Sequence, residues 1–161
     1  MVIVRLLHIL TSIWFISGLL GRWLAYAQAQ RSTDLYATSA LLRLSDRFER
    51  LMVIPGSQAV LVLGLLTAWL QGQPLFGVLQ GARSNWLLVS LVLLVGLTSI
   101  IMWLLVPRRR QRLAAVEDAL ARGTMTSELR AALGDQVVIG SRRVELLVVA
   151  VILVLMILKP F

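Results

Sequence analysis

The fold is decided by the apolar run Leu6–Leu24, which reads LLHILTSIWFISGLLGRWL. A helix turns by 100° per residue, so residues three and four apart share a face. One such face carries His8, Thr11, Ser12, Phe15, Leu19, Arg22 and Tyr26. Hydrocarbon offers polar groups no hydrogen-bonding partners, so a polar stripe must face the interior of a bundle. The run therefore predicts a membrane-spanning helix with a polar inner face.

The composition is that of a membrane protein. Of the 161 residues, 58% are hydrophobic, whereas soluble domains lie near 45–50%. At about 20 residues per crossing, four spanning helices and their connections nearly account for the chain. The chain contains no cysteine, which excludes disulfides, thiolate metal sites and thiol catalysis. We expect one all-α domain over residues 1–161, a four-helix transmembrane bundle with short amphipathic cytoplasmic helices.

The apolar runs predict spanning helices near residues 3–28, 48–70, 86–106 and 136–159, with a helical connection over 108–134. The segment before the second run predicts either an amphipathic surface helix or an extension of that spanning helix. Because proline has no N–H, Pro107 is expected to end the third helix. Thr126 and Gly134 are placed to begin and end a short helix on the membrane surface.

Glycines and one proline are the candidate positions for close helix packing or a kink. These are Gly18, Gly21, Pro55, Gly56 and Gly64. Small residues let neighbouring helix backbones approach closely, and a proline inside a helix predicts a kink.

The arginines are distributed unevenly between the two ends of the predicted bundle. Thirteen basic residues lie in or beside the first and third connections, against three at the opposite end, Arg5, Arg83 and Lys159. The positive-inside rule then places residues 29–50 and 107–143 in the cytoplasm of a bacterial inner membrane, with both termini outside. Arginines beside apolar runs favour anionic lipid headgroups as partners and argue against nucleic acid.

His8 is the only histidine, and it lies two turns inside its helix. An ionisable residue at that depth is a functional-site candidate. The favoured interpretation is a hydrogen bond to a neighbouring helix or to headgroup water. The alternatives are an axial ligand of haem b and a metal or proton-relay role. A haem would need a methionine, Lys159, an open position or a partner subunit as its sixth ligand.

A layer of charge is expected where the helices reach the cytoplasmic side. Its members are Arg22, Asp46, Glu49, Arg50, Arg108, Arg142 and Glu145. A solvated rim facing the headgroups is favoured; the alternatives are an interior network and a site for a phosphate- or carboxylate-bearing ligand. Arg142 and Glu145 are three apart on a helix and can pair; the two alternatives are arginines that extend to the headgroup level and an ion pair that faces the bundle interior. The residues give no complete catalytic set and no metal site.

Three stretches carry a resemblance to a known family. They are LLHILTSIWFISGLLGR at 6–22, RFERLMVIPG at 47–56 and MILKP at 156–160. They resemble a family of bacterial four-helix membrane proteins described as a domain of unknown function. The opening, with histidine followed by tryptophan and glycine, is also distantly similar to HemJ-type protoporphyrinogen oxidase and CopD-type membrane domains. The resemblance to the oxidase implies His8 as a haem ligand.

For function, the sequence favours a non-catalytic accessory or assembly subunit of a larger membrane complex. The small chain, its small-residue helix faces and the lack of a complete catalytic set support this expectation. Its partners would be other membrane subunits or a second copy. One alternative is a redox protein that binds haem b through His8. Another is a carrier of ions or small solutes, lined by the His8 stripe and by Arg142 and Glu145.

Overall fold

The computed structural model describes residues 1–81 and 85–159, without the side chains of residues 78, 100–102 and 106. Within that part the chain is all-helical and contains no strand. The helices are α1 Val2–Arg31, α2 Leu35–Phe48, α3 Ile54–Leu70, α4 Trp86–Ile100, α5 Val106–Arg122, α6 Ser127–Leu133 and α7 Gln136–Leu158. Arg83 and Pro160, which entered the charge count and the resemblance, lie outside the described residues.

Two pairs of helices are continuous. The π-helical segment Glu49–Val53 joins α2 to α3 in one helix of 36 residues, and Ile101–Leu105 joins α4 to α5 in one of 37. The extension of the second spanning helix is thus the alternative that the structure adopts. At 1.5 Å per residue each helix is about 55 Å long, against about 30 Å for a hydrocarbon core. Both are therefore long enough to project beyond the membrane.

The prediction that Pro107 ends the third helix is wrong. Pro55 and Pro107 are each the second residue after a π-helical segment, and the helix continues through both. At the first segment the Ile54 N–H donates to the Glu49 carbonyl, five residues back. A proline ring crowds the carbonyl of the preceding turn, and a wider π turn relieves that crowding without ending the helix. The distortion expected at Pro55 therefore takes the form of a π turn.

Among the described residues, three helices are long and apolar enough to cross a membrane, by length and composition. They are α1, the continuous helix Leu35–Leu70 and the continuous helix Trp86–Arg122. Helix α7 has 23 residues but carries Arg142, Arg143 and Glu145 in its first half. The architecture is that of an all-α membrane helical bundle, and a fourth crossing by α7 stays a prediction.

The bundle has two apolar cores. Helix α1 packs against α2 and α3, α4 packs against α7, and α5 packs against α6. The core of the membrane half contains Phe15, Leu19, Val53, Leu97 and Val149. The second core lies at the end of the bundle that we call the arginine-rich end. It contains Tyr26, Ala29, Leu35, Leu42, Leu105, Val116, Ala119, Leu129, Leu133 and Val138. The hairpin of α5 and α6 is therefore packed into the fold through its own core residues.

Four of the candidate packing glycines bring α1 close to the continuous helix Leu35–Leu70, which we call the second long helix. The pairs are Gly18 with Met52, Gly21 with Phe48, Gly56 with Phe15, and Gly64 with His8. A Cβ atom at Gly18 would lie 2.5 Å from the Met52 Cβ atom, which is closer than real Cβ contacts come. These small faces are consequently filled by the chain's own side chains.

Side-chain caps fix the helices of the arginine-rich end. Thr126 accepts from the Leu129 N–H at 3.2 Å and begins α6, as predicted. Asp135 accepts from the Val137 N–H at 2.9 Å and begins α7 in the same way. Gly123, with φ of 67°, ends α5 in the left-handed conformation that favours glycine.

Candidate functional site

Arg22 lies at the centre of a buried ionic cluster at the arginine-rich end. One guanidinium nitrogen of Arg22 donates to Glu49 Oε2 at 3.3 Å, and the other donates to Glu145 Oε2. All three side chains are buried. The Arg22 carbonyl also accepts a hydrogen bond from the Ser45 hydroxyl at 3.2 Å. One arginine of α1 therefore binds the second long helix and α7 together.

A second arginine of the cluster stacks on an aromatic ring. The guanidinium carbon of Arg142 lies 3.9 Å from the centre of the Tyr26 ring, and that of Arg112 lies 5.2 Å from it. Both distances are those of cation–π contacts. The Tyr26 hydroxyl donates to the Leu133 carbonyl at 3.2 Å, which fixes the ring. Tyr26 thus faces two arginines from two different helices.

The pair that the spacing of Arg142 and Glu145 allows does not form. Among the described residues Glu145 pairs with Arg22, and Arg142 has no carboxylate within 4.0 Å. The reason is the register of α1 against α7. Moving one turn along α1 from Arg22 reaches Tyr26, and moving about one turn back along α7 from Glu145 reaches Arg142. Each α7 residue therefore meets a partner on α1.

The remaining charged residues form a more open rim. Asp46 accepts from Arg50 at 2.9 Å and from Arg109 at 2.5 Å, and Asp135 accepts from Arg108 at 3.1 Å. The Arg50 side chain is 61% exposed. Asp46, Arg50 and Arg108 therefore fit the favoured interpretation of a rim.

That interpretation is wrong for Arg22, Glu49, Arg142 and Glu145, whose exposures run from 1% to 8%. Their carboxylates and guanidinium groups turn inward, because Arg22 and Tyr26 of α1 provide them with partners inside the bundle. These four residues form the interior network that was the alternative.

A small cavity lies inside the cluster. Its volume is about 10 Å³, and its lining is Arg22, Glu49, Leu105, Arg109, Arg112, Val138 and Arg142. A cavity of that size holds roughly one water-sized group. Four buried polar atoms of the described residues lack a hydrogen-bonding partner, and three belong to this cluster: Arg22 Nε, Arg142 Nη1 and Glu145 Oε1. The lining of the cavity is therefore rich in arginine, and three polar atoms of the cluster have no hydrogen-bonding partner.

Sequence reasoning missed Arg109 and Arg112, which lie in the run that follows Pro107. A signal for Arg112 was available. Arg112 stands four and seven residues before Val116 and Ala119, which are buried in the second core. This spacing places Arg112 on the inner face of α5. Arg109 has no such signal, because its neighbours are also arginines.

The fourth unsatisfied atom belongs to His8, in the membrane half. The ring is half-buried beside Gly64, and its Nδ1 atom is buried without a hydrogen bond. The Thr11 hydroxyl donates to the Leu7 carbonyl at 2.9 Å, and the Ser12 hydroxyl donates to the His8 carbonyl at 2.7 Å. The hydroxyls of the polar stripe are thus satisfied within α1 and make no bridge to another helix.

A cavity of about 80 Å³ lies between α1, α3, α4 and α7. Its lining includes Gly64, and its polar members are Ser12 and Ser90, whose hydroxyls donate to carbonyls of their own helices. Cofactor pockets usually measure about 300–1,000 Å³, so this cavity is smaller than a site for haem b would be. Lys159, one of the possible sixth ligands, lies over Trp86, with its ammonium 5.3 Å from the ring centre. The described residues also contain no group of three or more possible metal ligands.

Comparison with known protein families gives one match. The profile of the family described as Predicted integral membrane protein (DUF2269) matches residues 2–160. The chain belongs to this family. No curated protein and no solved structure matches the chain. Membership confirms the resemblance to an uncharacterised membrane protein family, and the comparisons give no support to the similarity with HemJ-type oxidase or CopD-type domains.

Proposed function

We propose that this DUF2269 protein is a non-catalytic accessory or assembly subunit of a larger membrane complex. The observation that carries the proposal is the outer face of α4. A Cβ atom added at Gly96 would meet no atom of the described residues within 4 Å, and Ser99, three residues further along the same face, is exposed. The Ser99 hydroxyl donates to the Val95 carbonyl of α4 itself, at 2.9 Å. In lipid, small residues of this kind are enriched where helices associate.

This face points away from the chain's own bundle. Helix α4 packs against α7, and its buried residues Ser90 and Leu97 lie on a different side of the helix from Gly96 and Ser99. The glycines of α1 and the second long helix already contact side chains of this chain. Gly96 therefore offers a close approach to a helix from outside, belonging to another membrane subunit or to a second copy.

The accessory role is better supported than the two alternatives. A carrier would need a polar path from His8 to the arginine cluster. Along α1 the residues between them include Phe15 and Leu19, which are buried in the apolar core. A redox role through haem b lacks the room described above. We also propose that the arginine-rich end faces the cytoplasm of a bacterial inner membrane, as the positive-inside rule predicts.

The test is the mass of the protein extracted with its surrounding lipid in polymer nanodiscs. Light scattering should give a protein mass above that of the 17.9 kDa chain, and mass spectrometry should identify what accompanies it. Gly96→Leu should release the free chain, because a leucine prevents close helix approach. Val62→Leu is the control, since Val62 is an exposed residue of α3. A wild-type protein of 17.9 kDa, or an assembly that Gly96→Leu leaves intact, contradicts the proposal.

A further inference from the structure

Two buried arginines of the cluster have no carboxylate partner. Arg112 and Arg142 are 7% and 4% exposed, and within the described part of the chain neither forms an ion pair within 4.0 Å. Arg22, which is equally buried, has two carboxylates. A charge that leaves water without a partner is strongly unfavourable. The Tyr26 ring attracts both guanidinium groups but carries no charge to neutralise them.

Both arginines face the same small cavity, and Arg142 Nη1 is buried there without a hydrogen bond. From this juxtaposition we propose that Arg112 and Arg142 bind an oxyanion group, a phosphate or a carboxylate, and that one of its oxygens enters the cavity. Guanidinium groups present planar pairs of donors that match the oxygens of such groups. Arg22 and Arg109 also line the cavity, but Glu49, Glu145 and Asp46 pair with them, so the unpaired charge comes from Arg112 and Arg142. The carboxylate of Glu49 in the lining is already engaged by Arg22.

The size of the cavity limits the ligand. About 10 Å³ admits one oxygen-sized group and no nucleotide base or sugar ring. The rest of the ligand must therefore lie outside, on the side of Arg109, whose side chain is 18% exposed and thus the most accessible of the four arginines. Inorganic phosphate and the phosphate of an anionic lipid share this chemistry. Position supports the second source, since the uncharged part of α7 begins at Leu146, about one turn after Arg142.

The test uses the full chain purified in phosphate-free detergent, with two probes. Equilibrium dialysis against radiolabelled inorganic phosphate measures the free anion. Native mass spectrometry with phosphatidic acid, compared with diacylglycerol of the same acyl chains, measures the lipid phosphate alone. We expect one equivalent of phosphate, or one retained phosphatidic acid with no retained diacylglycerol. Phosphate binding alone assigns the site to a free anion, and phosphatidic acid binding alone assigns it to lipid.

The chain provides matched variants. Arg142→Gln and Arg112→Gln should each weaken binding about tenfold or more, the value of one or two charge-assisted hydrogen bonds. Arg143→Gln and Arg110→Gln remove exposed neighbours of equal charge and should change binding by less than about twofold. Arg142→Lys, which keeps the charge without the planar pair of donors, should fall between Arg142→Gln and wild type. Unfolding temperatures show that each variant is folded.

Two results overturn the proposal. One is a wild-type protein that binds neither probe. The other is equal weakening in the exposed and the buried variants, because binding would then follow overall charge and not this cavity. If Arg142→Gln fails to fold, the comparison of Arg112→Gln with Arg110→Gln decides in its place.

Discussion

At the scale of single residues, Arg22 is the one on which the ionic cluster depends. It neutralises Glu49 and Glu145, and the side-chain exposures of the three are 3%, 10% and 1%. Charges in such surroundings interact strongly, since water screens them poorly. Removing one partner leaves the other as an uncompensated buried charge. The cluster is therefore a place where small changes have large effects.

Glu145→Gln should lower the free energy of unfolding by about 3–5 kcal/mol, the usual cost of breaking a buried ion pair from one side. Unfolding in mixed micelles, followed by tryptophan fluorescence, measures this. Glu117→Gln is the control, since Glu117 is exposed on α5. The double variant Arg22→Met with Glu145→Leu should recover most of the loss, because no charge is left buried. A Glu145→Gln protein as stable as Glu117→Gln would show that Glu145 is not charged and buried as described.

The residues of this site were only partly predictable from the sequence. Helical periodicity placed Arg22 on the inner face of α1, because that face depends on one helix alone. The partner of Glu145 depends on how far α1 and α7 are shifted along each other. That register is set by packing across the bundle, and no local spacing encodes it. The rule that residues three or four apart on a helix are neighbours therefore indicated Arg142 as the partner of Glu145, and it could not indicate Arg22.

At the scale of helices, the contact between α1 and the second long helix depends on glycine. The Gly18 position lies against Met52 so closely that an added Cβ would reach 2.5 Å from the Met52 Cβ atom. Neither Cβ can move without its backbone. Close approach of α1 at this point is therefore possible only without a side chain at position 18.

Gly18→Ala should destabilise the protein by about 1–3 kcal/mol, as overpacking does, although alanine is the better helix former. Gly140→Ala is the matched control, because Gly140 also lies inside a helix and a Cβ there meets nothing within 4 Å among the described residues. It should leave stability unchanged or raise it by up to about 1 kcal/mol. Both values come from unfolding in the same micelles. Equal effects of the two substitutions would mean that α1 does not approach Met52 at Gly18.

The apolar runs predicted the helices well, since length and hydropathy decide what can lie in lipid. The prolines did not predict helix ends. A proline prevents the regular α-helical hydrogen bond, but the π-helical segments before Pro55 and Pro107 provide a wider turn that accommodates it. Whether a chain ends or widens a helix at proline depends on what packs beyond it. Here Val116 and Ala119 of α5 are buried in the second core, which favours continuing the helix.

At the scale of the whole molecule, the two ends of the bundle differ in build. The arginine-rich end has the larger apolar core, the ionic cluster and most of the capped helix starts. At the opposite end, Lys159 lies over the Trp86 ring in a cation–π contact. That contact joins the last residues of α7 to the first residue of α4. Helix α7 therefore runs back along α4, which belongs to a helix long and apolar enough to cross a membrane, and we propose that α7 crosses as well.

The topology can be tested directly because the chain has no cysteine. Single cysteines at Gln71, Thr124 and Leu158 occupy exposed positions, and a membrane-impermeant maleimide reports which of them reach the outside of intact cells. Gln71→Cys and Leu158→Cys should react in intact cells. Thr124→Cys should react only after lysis, because it lies at the arginine-rich end, which the positive-inside rule places in the cytoplasm. Reaction of Thr124→Cys alone in intact cells would invert the orientation. Reaction of Gln71→Cys without Leu158→Cys would instead mean that α7 does not cross, and that its contact with Trp86 does not form in the membrane.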